Sequence, residues 1–254
     1  MRTTAILNLK GGVAKTVTCV NMAAILAADY KKRVLVVDAD SQANTTEFFG
    51  GAEACACTMS NLLRGMGNCT VIHATGTEGV SLIAADDSLM DLDLSSVKSK
   101  EADMRCLDRL LAKHREDFDY CLIDCPPAFN AAAAASLLAA DDVIIPIKLD
   151  AFSLRGMANL MRQVRNMQSI NPKLEIAGLL PTMVYRSEKL MDALDILYLK
   201  SDFRVFPTIR KTGKVDDMTF AQKPLIESSP HSAACVDYRR FVKAYIREGG
   251  AVRG

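Results

Sequence analysis

Two lysines in one short glycine-containing segment are the residues of this chain best suited to chemistry. The segment, Lys10-Gly11-Gly12-Val13-Ala14-Lys15-Thr16, follows an apolar stretch, Thr3 to Leu9, that is typical of a buried strand. Glycines let consecutive backbone N–H groups point at a polyphosphate, while a lysine binds the outer phosphates and a Ser or Thr hydroxyl ligates Mg²⁺. Gly11, Gly12, Lys15 and Thr16 supply these groups, so the segment predicts a phosphate-binding loop.

The loop departs from the general GxxxxGK[ST] pattern, because Leu9 and Ala14 stand where that pattern has glycines. It matches the variant KGGxxK[ST] completely, and Lys10 is the additional lysine. A helix over Val17–Ala28 is predicted next, with its N-terminus facing the phosphates. The alternative is a Gly-Gly turn with two solvated lysines, and the order of strand, loop and helix argues against it.

Strand-like and helix-like stretches alternate along the rest of the chain. Further strands are predicted over Arg33–Asp38, Val80–Ala84, Tyr120–Asp124, Val143–Lys148, Leu174–Pro181 and, more weakly, Phe203–Ile209. Helices are predicted over Glu101–Arg115, Ala131–Ala140, Ser153–Ser169, Glu188–Lys200 and Ala233–Arg247. Several strands are apolar on both faces, as in a parallel sheet covered by helices on each side. We therefore expect the α/β class, with a single doubly wound, mostly parallel sheet with helices on both faces and residues 1–254 forming one domain.

Three aspartates follow predicted strands at the edge where the loop must lie. Asp38 and Asp40 come at the end of the second strand, and Asp124 ends the strand before Pro126-Pro127. Ligands of α/β proteins bind at the carboxyl ends of parallel strands, and a carboxylate there can hold Mg²⁺, often through water. A capping or turn role is the alternative for each aspartate.

Composition limits the other classes of function. Half of the residues are hydrophobic, and no apolar segment precedes the first strand or approaches the length of a membrane span, which favours a cytoplasmic protein. Residues 1–150 carry a net charge of −6 and residues 151–254 one of +7. This asymmetry indicates either an ordinary solvated surface or a face that binds a polyanion. We expect all eight cysteines to be reduced thiols, namely Cys19, Cys55, Cys57, Cys69, Cys106, Cys121, Cys125 and Cys235.

The loop and the two acidic strand ends resemble the ParA/MinD family of deviant Walker-A ATPases. The resemblance implies ATP and Mg²⁺ as cofactors, and nucleotide contacts from Lys10, Gly11, Gly12, Val13, Ala14, Lys15, Thr16 and Val17. It implies catalytic roles for Lys10, Lys15 and Asp40, with Asp40 acting on the attacking water, and a metal site at Thr16, Asp38 and Asp124. It also implies that Lys10 reaches the partner's phosphates across a homodimer, so that intrinsic turnover is slow.

Later segments look like the ParA/Soj branch of that family. They are Phe152-Ser153-Leu154-Arg155-Gly156, Gly178-Leu179-Leu180-Pro181-Thr182-Met183 and the tail from Lys223-Pro224-Leu225 to Ala234. The branch implies an ATP-bound dimer on non-specific DNA, released after hydrolysis that a ParB-like partner stimulates, and a nucleoid-associated location. Spacing places Lys214 where relatives carry a DNA-binding arginine, with Arg210 and Lys211 nearby. No N-terminal helix-turn-helix is expected.

Three other readings compete with DNA partitioning. A MinD-like membrane switch would use the tail Val236–Arg247 as an amphipathic helix, although its apolar spacing also fits a helix docked on the body. An iron–sulfur relative would use cysteines such as Cys106 and Cys125, but no CxxC pair supports it. A tyrosine kinase of similar loop type would carry a C-terminal tyrosine cluster, which is missing. Residues contacting the base are not assigned, since Arg210-Lys211-Thr212 replaces a segment common in relatives.

Overall fold

A seven-stranded sheet forms the centre of the molecule. The computed structural model describes residues 1–52, 55–66, 70–99 and 102–249, with the side chains at 151–155 and 248–249 outside the description. In chain order the strands are β1 Arg2–Ile6, β2 Val34–Asp38, β3 His73–Ala74, β4 Val80–Ile83, β5 Tyr120–Asp124, β6 Asp142–Lys148 and β7 Glu175–Thr182. Their order across the sheet is β3-β4-β2-β5-β1-β6-β7, parallel throughout except for the short edge strand β3. The predicted fold class is confirmed.

Helices connect the strands and cover both faces of the sheet. They are α1 Lys15–Tyr30, α2 Asn44–Phe48, α3 Met59–Leu63, α4 Leu94–Lys98, α5 Cys106–Lys113, α6 Ala131–Ala139, α7 Ala151–Gln168, α8 Glu188–Lys200, α9 Lys214–Ala221, α10 Leu225–Ser228 and α11 Ala233–Gly249, with a 3₁₀ helix at Asp87–Asp91. Alternate residues of each strand enter opposite cores, as the two-residue period of a strand requires. Leu35 and Val37 pack with α3, α5, α6 and α7, whereas Val34 and Val36 pack with α1, α9, α10 and α11.

The last helix is docked on the body of the protein. Tyr238, Phe241, Val242 and Tyr245 form its apolar face, and each is at most 1% exposed. The Tyr245 hydroxyl is within hydrogen-bond distance of Thr4 Oγ1, 2.5 Å away, which ties α11 to the first strand. No described helix has the length and apolar character needed to cross a bilayer. Of the two interpretations of this tail, the structure therefore supports the docked helix.

Two predicted elements differ from the structure. A strand is predicted over Phe203–Ile209, but the segment makes one isolated bridge, Val205 to Leu179, and a second one, Arg210 to Val184, follows directly after it. Pro207 lies between them and has no N–H for a continuous ladder, which explains the interruption. The helix predicted from Glu101 starts instead at Cys106, and Glu101 itself lies outside the described residues.

The prediction that every cysteine is reduced is wrong for Cys57, which is disulfide-bonded. The partners available to a thiol depend on the folded chain, and the spacing of cysteines along the sequence does not reveal them. Six cysteines are free, namely Cys19, Cys55, Cys106, Cys121, Cys125 and Cys235, and Cys69 lies outside the described residues.

Gly178 allows the segment after α8 to approach the edge strand β7. Its φ is +151°, and a Cβ built there would lie 2.8 Å from the Arg204 carbonyl oxygen and 2.9 Å from the Phe206 ring. We expect Gly178→Ala to lower the free energy of unfolding by about 1–3 kcal/mol, because the backbone itself would have to move. Urea unfolding of the purified variant measures the change.

Gly156→Ala is the matched control, since a Cβ there meets nothing within 4 Å and the residue lies inside α7. The same methyl group should raise the stability by about 0.5–1 kcal/mol, because glycine is a poor helix former. Equal effects at the two positions would contradict the close approach at Gly178.

Candidate functional site

The loop between β1 and α1 is an open cradle whose backbone conformation is strained at one residue. Gly12 has φ +67°, which glycine adopts without cost, and Ala14 has φ +65°, which costs a residue with a Cβ about 1–2 kcal/mol. A Cβ built at Gly11 or Gly12 meets nothing within 4 Å, so this side of the loop is open. Strain of this kind collects at ligand sites, and the loop ends directly at the N-terminus of α1, where anions bind favourably.

Lys15 lies inside the loop. It is buried, and its Nζ donates to the Lys10 carbonyl oxygen at 3.2 Å. Burial lowers the pKa of Lys15, while the charges of Asp124 and Asp40 act in the opposite direction. The ammonium group is thus held at the inner side of the loop, where it can bind phosphate oxygens.

Asp124 joins the loop to the segment that follows β2. Its Oδ2 accepts hydrogen bonds from Thr16 Oγ1 and from Thr45 Oγ1, each at 2.7 Å. Its Oδ1 is buried and has no hydrogen-bond partner among the described residues. A buried carboxylate oxygen without a hydrogen-bond partner, next to a threonine hydroxyl, is a suitable ligand for Mg²⁺, which prefers oxygen ligands. Thr16 and Asp124 are therefore suited to hold the ion.

Asp38 lies directly across from Asp124 in the parallel pairing of β2 and β5. Its Oδ2 accepts from the Thr46 N–H and hydroxyl at 2.8 Å, and its Oδ1 accepts from the Asp40 N–H at 3.1 Å. Both oxygens thus already hold the turn that carries Asp40. Asp40 in turn accepts from the Gln42 N–H at 3.1 Å.

Burial together with the facing charge of Asp124 raises the pKa of Asp38 to about 8. Burial also raises the pKa of Asp124, to about 6, although hydrogen bonds from Thr45 and Thr16 and the charge of Lys15 favour its ionised form. Because the carboxyl groups of Asp38 and Asp124 are both buried and adjacent, the site favours a bound cation, and without one it favours a proton on a carboxyl group.

Lys10 is held by an ion pair within its own subunit. Its Nζ lies 2.7 and 2.8 Å from the two oxygens of Asp150, and its side chain is 35% exposed. The backbone N–H of Lys10 donates to Asn8 Oδ1 at 2.9 Å, and Asn8 Nδ2 donates to the Pro146 carbonyl at 2.8 Å. These contacts fix the entrance of the loop against the end of β6.

An apolar cavity lies beside the loop on the α11 side of the sheet. Ala14, Val17, Met183, Ile209 and Tyr238 contribute to its wall. Ligand cavities are typically apolar with a few polar groups, and this cavity has the position that a base would take with its phosphates at the loop. The segment Arg210 to Gly213, to which the sequence alone assigns no base contact, also lines the cavity.

The three basic residues singled out from the sequence differ in their surroundings. Arg210 makes a two-point ion pair with Asp237, with Nε to Oδ2 at 2.7 Å and Nη2 to Oδ1 at 2.9 Å. Lys214 Nζ lies 2.8 Å from Asp217 on the exposed side of α9, and Lys211 is exposed. All three lie at or near the rim of the apolar cavity.

Four residues that contribute to the site were not singled out from the sequence. Thr45 and Thr46 bind Asp124 and Asp38, Asn8 supports the loop, and Asp150 pairs with Lys10. The sequence did hold a signal for the threonines, since two adjacent threonines follow the acidic strand end within eight positions. Nothing local distinguished Asp150, which lies 140 residues from its partner.

A parallel sheet, a glycine-containing loop leading into α1 and a buried carboxylate at the adjacent strand end define a P-loop nucleotide-binding protein. A family model described as an AAA domain matches residues 1–176. Over 97% of its length the chain is 36% identical to the chromosome partitioning protein ParA of Caulobacter vibrioides, covering 94% of that protein. It is 33% identical to the sporulation initiation inhibitor protein Soj of Bacillus subtilis, over 96% of this chain and 98% of that one.

The chain belongs to the ParA family of P-loop ATPases. A solved structure from Mycobacterium smegmatis, named cobyrinic acid a,c-diamide synthase with bound ATP analogue and magnesium, superposes with a TM-score of 0.84. The two chains are 28% identical, and the match covers 100% of this chain and 97% of the other.

The raised pKa values of Asp38 and Asp124 predict a pH-dependent stability of the nucleotide-free protein. The folded state keeps these protons to higher pH than the unfolded chain, in which the ordinary value is 3.8. The free energy of unfolding should therefore fall as the pH rises from about 4 to about 8. Urea unfolding over that range, without nucleotide or Mg²⁺, measures the slope.

Asp38→Asn should flatten this profile, since the amide does not ionise and one of the two facing charges is gone. Asp87→Asn, at an exposed position, is the matched control and should leave the profile as it is. A wild-type stability that rises between pH 4 and pH 8 would contradict the assignment of two buried, facing carboxyl groups.

Proposed function

We propose that this protein is a DNA-partitioning ATPase that works as a single domain with ATP and Mg²⁺. In this proposal an ATP-bound homodimer binds DNA without sequence preference and leaves it after hydrolysis, which a ParB-like partner accelerates. The observation that carries the proposal is the doubly hydrogen-bonded Asp124 with its buried free oxygen, beside a loop with two lysines. Its relatives from Caulobacter vibrioides and Bacillus subtilis support the same assignment.

The loop supplies the nucleotide contacts in this proposal. Backbone N–H groups from Gly11 to Val17 surround the phosphates, with Lys15 on their outer oxygens and the base in the cavity walled by Met183 and Tyr238. Thr16 and Asp124 hold Mg²⁺, which when bound neutralises charge on the phosphate oxygens. Asp38 acts indirectly, because its two oxygens accept hydrogen bonds from the Thr46 and Asp40 N–H groups and so position the segment that carries Asp40.

Hydrolysis needs a positioned water and positive charge at the transferred phosphate. Asp40 lies at the turn that Asp38 supports and is 9% exposed, so it can reach a water at the mouth of the site. Lys15 supplies charge within the subunit. Lys10 supplies it to the partner's phosphates after leaving Asp150, an exchange favoured because the triphosphate carries more negative charge than one carboxylate. Turnover is then slow in a single subunit.

Non-specific DNA binding needs cations at the surface and no reading of bases. Arg210, Lys211 and Lys214 are the proposed contacts. The ion pair of Arg210 with Asp237 leaves its side chain 49% exposed, so that it can still meet a phosphate at the rim. The docked α11 argues against the MinD-like alternative, in which this helix would enter a membrane.

Retention on random-sequence DNA tests the function directly. We expect the protein to be retained with ATP and Mg²⁺, to be released with ADP, and to lose affinity steeply as salt is raised. Light scattering on the same samples should show dimers with ATP and monomers with ADP. Equal retention with both nucleotides, or no retention at low salt, would contradict the proposed ATP-dependent binding of DNA.

The variant Lys10→Ala distinguishes the proposed role of Lys10 from that of Lys15. Since only Lys10 is proposed to act across the dimer, the variant should bind ATP as a monomer but hydrolyse it about 10³-fold more slowly or worse, as when an arginine finger is lost. Nucleotide binding by fluorescence and phosphate release under saturating ATP measure the two steps.

Lys173→Ala, at an exposed position in the loop after α7, is the matched control and should behave as the wild type. Wild-type turnover in Lys10→Ala would reduce Lys10 to a structural partner of Asp150. Asp40→Ala should by contrast still dimerise with ATP and lose hydrolysis, so the pair of variants distinguishes assembly from chemistry.

A further inference from the structure

A short turn carries the chain from Asp40, just after β2, into the first turn of α2. We call residues 40–46 the Asp40 segment. The Ala43 N–H donates to the Asp40 carbonyl oxygen at 2.9 Å, and Ala43 has φ +53°, which residues with a Cβ rarely adopt. Thr45 belongs to this segment and is 0% exposed. Its hydroxyl group is therefore enclosed by the protein, and its role depends on the group to which it donates.

Two adjacent threonines attach the Asp40 segment to two different carboxylates. Thr46 Oγ1 donates to Asp38 Oδ2 at 2.8 Å and accepts from the Ala85 N–H at 2.8 Å. Thr45 Oγ1 donates to Asp124 Oδ2 at 2.7 Å. Thr46 thus fixes the segment to the neighbouring strand ends, whereas Thr45 fixes it to the carboxylate that is suited to the metal ion.

The two hydroxyl groups on Asp124 set the direction of its carboxylate. Thr16 and Thr45 both donate to Oδ2, each at 2.7 Å, while Oδ1 is buried without a hydrogen-bond partner among the described residues. An ionised carboxylate accepts about two hydrogen bonds on each oxygen, so the two threonines occupy Oδ2 and leave Oδ1 for another ligand. Without Thr45 the carboxylate can turn about its Cβ–Cγ bond, because a single hydrogen bond no longer fixes its plane.

An ordinary helical role does not account for Thr45. Threonine is a poor helix former, so α2 gains nothing from it relative to alanine. A hydroxyl inside a helix commonly donates to the carbonyl one turn earlier, as Ser136 of α6 does to Ala132 at 2.7 Å. The Thr45 hydroxyl instead reaches a carboxylate 79 residues away along the chain. This contact connects Thr45 with the metal side of the site.

We propose that Thr45 is a positioning residue for the metal ion, which directs Asp124 Oδ1 towards the ion by holding Oδ2. This role rests on the proposed function, because it concerns the same ATP and Mg²⁺ site. Since Thr45 belongs to the Asp40 segment, the metal is bound tightly only when that segment is in place. By reciprocity, the segment is more stable in place when the metal is bound. The same hydroxyl thereby couples Mg²⁺ binding to the placement of Asp40.

Direct measurement of metal binding tests this role. Mn²⁺, which takes the same oxygen ligands as Mg²⁺, is titrated into the protein with ADP and followed by electron paramagnetic resonance. Thr45→Val keeps the size of the side chain and removes the hydroxyl. We expect it to lower the Mn²⁺ affinity about 10- to 100-fold, as is typical when a partner that orients a metal ligand is lost.

Thr45→Ser keeps the hydroxyl and should bind Mn²⁺ nearly as the wild type does. ADP binding without metal should be the same in all three proteins, which verifies that the variants are folded. If Thr45→Val fails this check, Thr45→Ala takes its place in the same comparison.

Hydrogen exchange measures the coupling to Asp40. In the wild type, Mg²⁺ with ADP should slow exchange in the Asp40 segment more than ADP alone does, because the bound metal disfavours local opening. At metal concentrations that saturate each protein, this additional protection should be lost in Thr45→Val and kept in Thr45→Ser. Equal protection in Thr45→Val and the wild type would overturn the coupling.

Thr4→Val is the matched control, because Thr4 is also 0% exposed and its hydroxyl lies 2.5 Å from a different residue, Tyr245. It should bind Mn²⁺ as the wild type does. An unchanged Mn²⁺ affinity in Thr45→Val, or an equal loss in Thr45→Ser or in Thr4→Val, would overturn the proposal and leave the proposed function intact. If the wild type binds neither ADP nor Mn²⁺, the proposed function itself fails, and the role of Thr45 fails with it.

Discussion

Asp124 accepts hydrogen bonds from two different segments, Thr16 at the start of α1 and Thr45 at the start of α2, and the candidate site depends on this arrangement. Burial makes the charge costly, and the raised pKa records that cost. A cation is the natural compensation. Because the same carboxylate contacts both segments, whatever binds there also fixes their relative position, so the loop and the turn carrying Asp40 can respond together to the nucleotide.

Two lysines in one loop have opposite surroundings, which suggests opposite tasks. Lys15 is buried and directed to the inner side of the loop, whereas Lys10 lies at the entrance and forms an ion pair with Asp150. A buried ammonium serves its own subunit, since it cannot leave without losing its contacts. A half-exposed one that is held by a surface carboxylate can exchange partners at small cost.

The C-terminal helix shows how burial decides between interpretations that a pattern leaves open. An apolar face followed by cations is equally typical of a membrane-surface helix and of a docked helix. Tyr238 and Tyr245 are buried against α1 and β1. The exposed residues among the described side chains of α11 are all charged, namely Arg240, Lys243 and Arg247. Part of the positive charge of residues 151–254 is therefore carried by a docked helix, whose Tyr238 lines the apolar cavity beside the loop.

The sequence by itself determined the parallel α/β sheet, the phosphate loop and the acidic strand ends, because these depend on local patterns of apolar, glycine and charged residues. Only the tertiary structure decided which side chains meet. It placed Asp150 on Lys10, Thr45 on Asp124 and Asp237 on Arg210, and it paired Cys57. It also reduced the expected strand at Phe203–Ile209 to an isolated bridge. Such contacts join residues far apart in the chain, and their partners are fixed by the packing of the sheet, which no local pattern encodes.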